Sequence, residues 1–141
     1  MSLSIRVEDY LRIIYEIEQE KGYARVKDIA NRLGVKRSSV VEMMKKLSSE
    51  GYIVYNLREP VRLTPSGREI AGLVKKRQET FQKFLEALLI PREIASRDSH
   101  ILEHQLHEET VKRILEFVEF VTETEAGEKL LEEFKKYTSK K

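Results

Sequence analysis

The chain has 141 residues, of which 40% are hydrophobic and 35% charged, a balance typical of a folded globular protein. No apolar run approaches the roughly 18 residues that a membrane-spanning helix requires, so no membrane partner is expected. The absence of cysteine excludes disulfides, thiolate metal sites and cysteine nucleophiles. The cytoplasm is the expected location, because the first residues, Met1-Ser2-Leu3-Ser4, lack the apolar core of a signal peptide.

The net charge of +2 conceals an uneven distribution. Residues 24–83 contain 14 lysines and arginines against 6 acidic residues, a net charge of +8, whereas the rest of the chain has a net charge of −6. A basic segment in an otherwise acidic protein indicates that this segment alone faces a polyanion. An ordinary solvated surface is the alternative interpretation.

Three helices are predicted at the beginning of the chain. Apolar side chains repeat with helical spacing over residues 7–20, and residues 26–33 form a second, short helix closed by a glycine turn. Either Ser38 or Ser39 is expected to cap a third helix that runs to about Ser49.

A β-hairpin and a long helix follow. Residues 52–55 and 61–63 have the β-branched and aromatic composition of two strands joined by a turn. Thr64 is expected to cap the next helix, and Pro65 suits the first helical position. Pro91 is expected to break this helix.

The remaining residues predict helices at about 92–104, 107–121 and 125–137. The predicted fold class is therefore mainly α: a winged helix-turn-helix with a small hairpin wing over residues 1–72, then an all-α dimerisation domain over residues 73–141. A two-fold homodimer is expected, because the C-terminal helices offer more apolar stripe than the small winged helix needs. The stripe consists of Ile101, Leu102, Ile114, Leu115, Val118 and Val121.

The order helix, helix, turn, helix, hairpin is that of a winged helix-turn-helix, which places its third helix in the major groove of double-stranded DNA. The predicted contacts at the start of that helix are Lys36, Arg37, Ser38, Ser39 and Glu42. On the wing, Arg58 and Arg62 are expected to contact the DNA backbone.

The three histidines of the chain, His100, His104 and His107, fall within eight positions. His107 lies three residues past His104, beyond the expected end of the helix, and is left out of the predicted metal site. His100, Glu103 and His104 are spaced i, i+3 and i+4, which places two imidazoles and a carboxylate on one face of a helix. Such a face can hold a divalent transition metal. The alternative is a polar helix face on which histidines happen to cluster.

The five consecutive residues from His100 to His104 also match the H-x-x-E-H pattern of zinc peptidases. Peptidase activity needs a further ligand, an open coordination site and a substrate cleft. A short chain that already contains a winged helix-turn-helix leaves little room for them. An enzyme is therefore not expected. A metal-independent winged-helix DNA-binding protein is the other alternative.

Four segments together resemble the diphtheria-toxin-repressor family of metal-dependent repressors. They are Glu8–Glu16, Gly22–Val26, Leu63–Gly67 and the pair Glu103-His104. The similarity extends over about residues 5–121, and the length is similar to that of the two-domain, manganese-transport-repressor branch.

The resemblance implies a repressor whose operator binding is activated by a metal bound between the two domains. It implies that Asp9, Glu103 and His104 are metal ligands. His100 stands where the family has a carboxylate in manganese sensors and a cysteine in iron sensors. Manganese and iron are the expected metals, and the donor types are also compatible with zinc and cobalt.

Two departures from the family pattern concern a second metal position. Arg12 replaces a glutamate and Gln78 replaces a histidine of the manganese sensors, while Gln78, Gln82 and Ser96 stand at the ancillary site of the iron sensors. Arginine stays protonated and cannot ligate a metal. About one metal per subunit is therefore expected, with Gln78 or water completing the shell.

Overall fold

The computed structural model describes residues 4–141, so Met1, Ser2 and Leu3 of the predicted N-terminal domain lie outside the described residues. The chain divides into two compact units, 1–75 and 76–141. Over the described part it is mainly α-helical, as predicted, and contains a two-stranded sheet. None of the helices within residues 4–141 combines the length and apolarity needed to cross a bilayer.

Three helices open the first unit: α1 (Ile5–Lys21), α2 (Val26–Leu33) and α3 (Arg37–Ser49). Helix α1 begins where the Ser4 hydroxyl accepts a hydrogen bond from the backbone N–H of Val7 at 3.2 Å. The turn between α2 and α3 depends on Gly34, whose φ of 67° lies in the left-handed region that favours glycine. The buried side chains of this unit include Leu11, Ile14, Ile17, Ile29, Val40, Met44, Leu47 and Ile53.

The predicted cap of α3 is wrong. The N-cap is Lys36, whose carbonyl accepts from the N–H groups of Ser39 at 3.1 Å and Val40 at 3.3 Å. Ser38 and Ser39 therefore lie in the first turn of α3. The reason is the short connection, because Val35 still donates to the end of α2 and the next helix begins immediately afterwards.

The wing is a short antiparallel pair, β1 (Ile53–Val54) and β2 (Arg62–Leu63), with Ile53 opposite Leu63. Both strands are shorter than the predicted 52–55 and 61–63. Val61 instead pairs with the connection between α1 and α2, donating to the carbonyl of Ala24 at 2.7 Å. The hairpin is thereby attached to the helical part of the unit.

Helix α4 (Pro65–Ala87) begins as predicted, with the Thr64 hydroxyl accepting from the N–H of Gly67 at 3.1 Å. Gly67 lies so close to the wing that a β-carbon there would collide with the carbonyl of Tyr52. The absence of a side chain at Gly67 therefore sets how closely α4 approaches the residue that precedes β1.

The second unit contains α5 (Arg92–Gln105), α6 (Glu108–Glu123) and α7 (Glu125–Ser139). Val118 and Val121 are each 3% exposed, so the prediction that they belong to a dimerisation stripe is wrong. They face the interior of the monomer. The exposed apolar side chains of α5 and α6 include Ile101, Phe117 and Phe120.

Candidate metal centre and DNA-binding surface

His100, Glu103 and His104 lie together on one face of α5. The imidazole rings of His100 and His104 have centroids 5.1 Å apart and are nearly perpendicular, at 88°. Nε2 of His104 lies 3.1 Å from Oε1 of Glu103, and these two side chains are 6% and 0% exposed. The structure therefore brings together the three residues that the helical spacing predicted.

A buried carboxylate is costly unless a cation or a hydrogen-bond donor compensates its charge. Glu103 has the imidazole of His104 at its side, which serves this purpose when Nε2 carries a proton. A divalent cation would serve it as well, since imidazole nitrogen and carboxylate oxygen are both ligands of the first-row transition metals. The donor set on α5 therefore fits the metal that the sequence predicts.

His107 has a different role. It is the N-cap of α6, and its Nδ1 accepts a hydrogen bond from the backbone N–H of Glu109 at 3.1 Å. It lies beyond the end of α5 at Gln105, as expected from its position three residues after His104.

Asp9 lies on α1, in the first unit, next to a permanent cation. Nη2 of Arg12 is 3.8 Å from Oδ1 of Asp9, and Nη1 of Arg12 donates to Oε1 of Glu16 at 2.9 Å. The Arg12 side chain is only 11% exposed, so water screens its charge less than at the surface. Gln78, which the sequence offered as a further ligand, is half-buried on α4.

Sequence reasoning missed Glu16, although its position four residues after Arg12 was a usable signal of a helical ion pair. Glu16 also lies 3.8 Å from Arg32 on α2. Arg32 hydrogen-bonds to Glu20, and this bond raises the pKa of the Arg32 guanidinium above its ordinary value. Ion pairs thus connect α1 to the helix-turn-helix.

A further ion pair between these helices holds the beginning of α2. Lys21 donates to Asp28 at 2.9 Å, and the backbone N–H of Arg25 donates to the same carboxylate at 3.2 Å. Burial acts to raise the pKa of Asp28, but the hydrogen bonds from Lys21 and Arg25 outweigh it, so the pKa lies below its usual value. Asp28 is therefore ionised at neutral pH and accepts the backbone N–H of Arg25, the N-cap residue of α2.

The predicted DNA contacts of α3 lie at its N-terminal end. Lys36, Arg37 and Ser38 are exposed, Ser39 is half-buried, and Glu42 is exposed one turn further along. Positive side chains and helix N–H groups at the same end attract phosphate. This end of α3 therefore has the chemistry that the DNA-binding interpretation requires.

On the wing, Arg58 and Arg62 are both exposed, and Arg62 is the first residue of β2. Arg58 has a φ of 69°, in the left-handed region. The guanidinium of Arg25 donates to the carbonyl of Arg58 at 3.5 Å, a contact that sequence reasoning missed and for which only the basic character of Arg25 was a signal. Arg25 thus helps to hold the turn of the wing.

Two family models match the chain. The model described as "Iron dependent repressor, N-terminal DNA binding domain" matches residues 2–60. The model described as "Iron dependent repressor, metal binding and dimerisation domain" matches residues 64–132.

Among curated proteins, the chain is similar to the HTH-type transcriptional regulator MntR of Geobacillus kaustophilus, with 40% identity over 119 residues and 84% of each chain covered. It is also similar to the HTH-type transcriptional regulator MntR of Bacillus subtilis, with 36% identity over 132 residues. That match covers 94% of this chain and 93% of the relative.

Among solved structures, T. acidophilum IdeR is 36% identical with a TM-score of 0.63, over 82% of this chain and 54% of that one. A manganese-dependent transcriptional repressor in complex with manganese is 27% identical with a TM-score of 0.72, over 81% of this chain and 53% of that one. The chain spans about half the length of these two structures. It therefore belongs to the iron-dependent repressor family, the diphtheria-toxin-repressor family that its sequence resembles, whose members are metal-dependent, DNA-binding transcriptional repressors with a dimerisation domain.

Proposed function

We propose that this chain represses transcription when each subunit binds one manganese or iron(II) ion through Asp9, His100, Glu103 and His104. Gln78 or a water molecule would complete the coordination shell. The observation that carries the proposal is the buried carboxylate of Glu103, 3.1 Å from His104 on the α5 face that also presents His100. Asp9 and Gln78 are included because of the sequence resemblance.

The choice of metal follows from the ligands and the relatives together. Two imidazoles and two carboxylates suit Mn, Fe(II), Co and Zn, whereas the absence of thiolates disfavours Cu(I). Ligand affinity alone would favour zinc over manganese. The preference for manganese rests on relatives that carry the name MntR and on a similar repressor solved with manganese.

Arg12 is the reason for proposing a single ion. Its guanidinium lies 3.8 Å from Asp9, and an arginine side chain is a cation that offers donors only and cannot act as a ligand. A fixed positive charge beside a carboxylate disfavours a second cation there by like-charge repulsion. The amide of Gln78 is uncharged and adds no further negative charge.

The proposed ligands come from α1 in the DNA-binding domain and from α5 in the dimerisation domain. A bound ion supplies two positive charges that carboxylates of both domains can share, which restricts α1 relative to the rest of the chain. DNA binding then costs the chain less conformational entropy, so metal binding and DNA binding each increase the affinity for the other ligand. Such couplings usually amount to about 1–3 kcal/mol.

In the proposed complex, α3 enters the major groove with Arg37 foremost, while Arg58 and Arg62 contact phosphates. Two subunits related by a two-fold axis would read a pseudo-palindromic site. The exposed Phe117 and Phe120 on α6 supply apolar surface for the partner subunit. We also propose a cytoplasmic location, because a transcriptional repressor has to reach the DNA that it regulates.

The H-x-x-E-H pattern is proposed to serve regulation and not peptide hydrolysis. The two family matches occupy residues 2–60 and 64–132, so the domain containing the pattern is accounted for by metal binding and dimerisation. In this assignment Glu103 is a metal ligand. In a peptidase it would instead be a general base beside a substrate.

The test combines metal stoichiometry with DNA binding. Duplexes selected from a random library in the presence of Mn²⁺ would be titrated by fluorescence anisotropy with Mn²⁺, Fe²⁺, Co²⁺, Zn²⁺ or chelator, beside calorimetry with each metal. One equivalent per subunit and metal-dependent DNA affinity are expected, with about a 5- to 150-fold tightening. DNA binding that no metal alters would show that the chain is a metal-independent winged-helix protein.

A further inference from the structure

The guanidinium of Arg12 lies between two carboxylates of its own helix and contacts them unequally. It donates to Glu16 at 2.9 Å, within hydrogen-bond distance, but lies 3.8 Å from Asp9. All three side chains are shielded, with exposed fractions of 11% for Arg12, 22% for Asp9 and 21% for Glu16. Arg12 therefore binds to Glu16 and affects Asp9 only through its charge.

We propose that Glu16 is a positioning residue of the metal centre. By holding the Arg12 guanidinium in a hydrogen bond, it prevents Arg12 from forming a hydrogen-bonded ion pair with Asp9, so that Asp9 can ligate a divalent cation. The inference rests on the proposed function, in which Asp9 is a ligand. It goes further because it explains how a carboxylate ligand can work beside a permanent cation.

The physical basis is competition between two cations for one carboxylate. Hydrogen-bonded pairs between arginine and a carboxylate are among the stronger polar contacts in proteins, and arginine cannot lose its charge to end the competition. Residues three and four apart on a helix are neighbours, so Asp9 and Glu16 are both within reach of Arg12. If Glu16 were neutral, Asp9 would become the stronger acceptor and its hydrogen bond to Arg12 would oppose metal binding.

Glu20 provides a matched control. It lies on the same helix as Glu16 and loses the same charge on substitution by glutamine. Its ion pair, however, is with Arg32 on α2 and not with Arg12. Glu16 itself lies 3.8 Å from Arg32, so Glu20→Gln also controls for weakened pairing between α1 and α2.

The experiment is a calorimetric titration of the full chain with Mn²⁺. Glu16→Gln should weaken Mn²⁺ binding by about tenfold or more, the usual effect of removing a residue that supports a metal ligand. Glu20→Gln should leave the affinity unchanged. Adding Arg12→Met to Glu16→Gln should restore the affinity, because the competing cation is then gone. Thermal denaturation without metal would measure the stability of each variant separately.

Unchanged affinity in Glu16→Gln would overturn the inference, and so would a loss that Arg12→Met does not reverse. If the unaltered chain bound no Mn²⁺, the same titrations would be made with Fe²⁺, and a chain that bound neither ion would overturn both the proposed function and the inference. Should Glu16→Gln not fold, Glu16→Asp retains the charge on a shorter side chain that reaches Arg12 less well. It should then show a smaller loss that Arg12→Met again reverses, and the absence of any loss would count against the inference.

Discussion

Nε2 of His104 lies 3.1 Å from Oε1 of Glu103, a carboxylate whose side chain is completely buried. His104 compensates the buried carboxylate when its Nε2 carries a proton, and both residues are proposed ligands. Glu103→Ala and His104→Ala should therefore abolish the metal-dependent part of DNA binding, leaving an affinity equal to that of the unaltered chain in chelator. Fluorescence anisotropy with and without Mn²⁺ measures this difference directly.

The control for these variants is His107→Asn. His107 is the N-cap of α6, and asparagine is a good N-cap residue, so the substitution should preserve the helix while removing the third imidazole. Full metal dependence is expected in this variant. If His107→Asn lost the metal response as Glu103→Ala does, the ligand assignment would be incorrect.

Reversing the charge at Arg12 should create a second metal position. Arg12→Glu replaces the guanidinium beside Asp9 by a carboxylate, the residue type found in the manganese sensors that the sequence resembles. Calorimetry with Mn²⁺ should then give about two equivalents per subunit instead of one. Arg6→Glu, at an exposed position on the same helix, controls for the change in net charge and should still bind one. A single equivalent in Arg12→Glu would show that Arg12 does not determine the stoichiometry.

Arg37→Ala should weaken DNA binding because the side chain is exposed at the first residue of α3. If Arg37 contacts a phosphate, affinity should fall for all sequences and the salt slope should decrease by about one. If it contacts a base, the loss should be about 1–3 kcal/mol and specificity at that base pair should relax. Lys45→Ala, exposed near the other end of α3, is the control and should have the smaller effect. An Arg37→Ala variant with unaltered affinity and salt dependence would exclude this placement of α3.

Two glycines of α4 should respond oppositely to alanine. A β-carbon on Gly67 would collide with the carbonyl of Tyr52, so Gly67→Ala should destabilise the protein by about 1–3 kcal/mol. Apart from the adjoining residues and backbone of α4 itself, no atom within residues 4–141 lies within 4 Å of a β-carbon built on Gly72, so Gly72→Ala should stabilise the helix by about 0.5–1 kcal/mol. Urea denaturation of both variants measures the two free energies. If Gly67→Ala increased the free energy of unfolding as much as Gly72→Ala does, the close approach at Gly67 would be relieved without cost.

The helices were predictable because their apolar periodicity and stop signals act locally. The Thr64 cap and the separation of His107 from the α5 face both follow from residues within a few positions of each other. The i, i+3, i+4 spacing likewise sufficed to group His100 with Glu103 and His104.

The differences arise where distant residues decide the structure. The wing strands are shorter than predicted because Val61 pairs with Ala24, which lies far from it in sequence. The apolar repeat of α6 fits a buried face and a dimerisation face equally well, and packing within the monomer places Val118 and Val121 on the buried one. The shared use of Arg12 by two carboxylates likewise depends on rotamers that spacing alone does not specify.

The left-handed backbone of Arg58 has a consequence for any attempt to make this protein more heat-resistant. A non-glycine residue in that region costs about 1–2 kcal/mol, and Arg58 is exposed, with no burial to offset the cost. Arg58→Gly should therefore raise the melting temperature while removing a cation from the wing, and lower DNA affinity more at low salt than at high salt. Selection for thermal stability alone would thus favour a weaker repressor, and a stability screen of this chain should be paired with a DNA-binding screen.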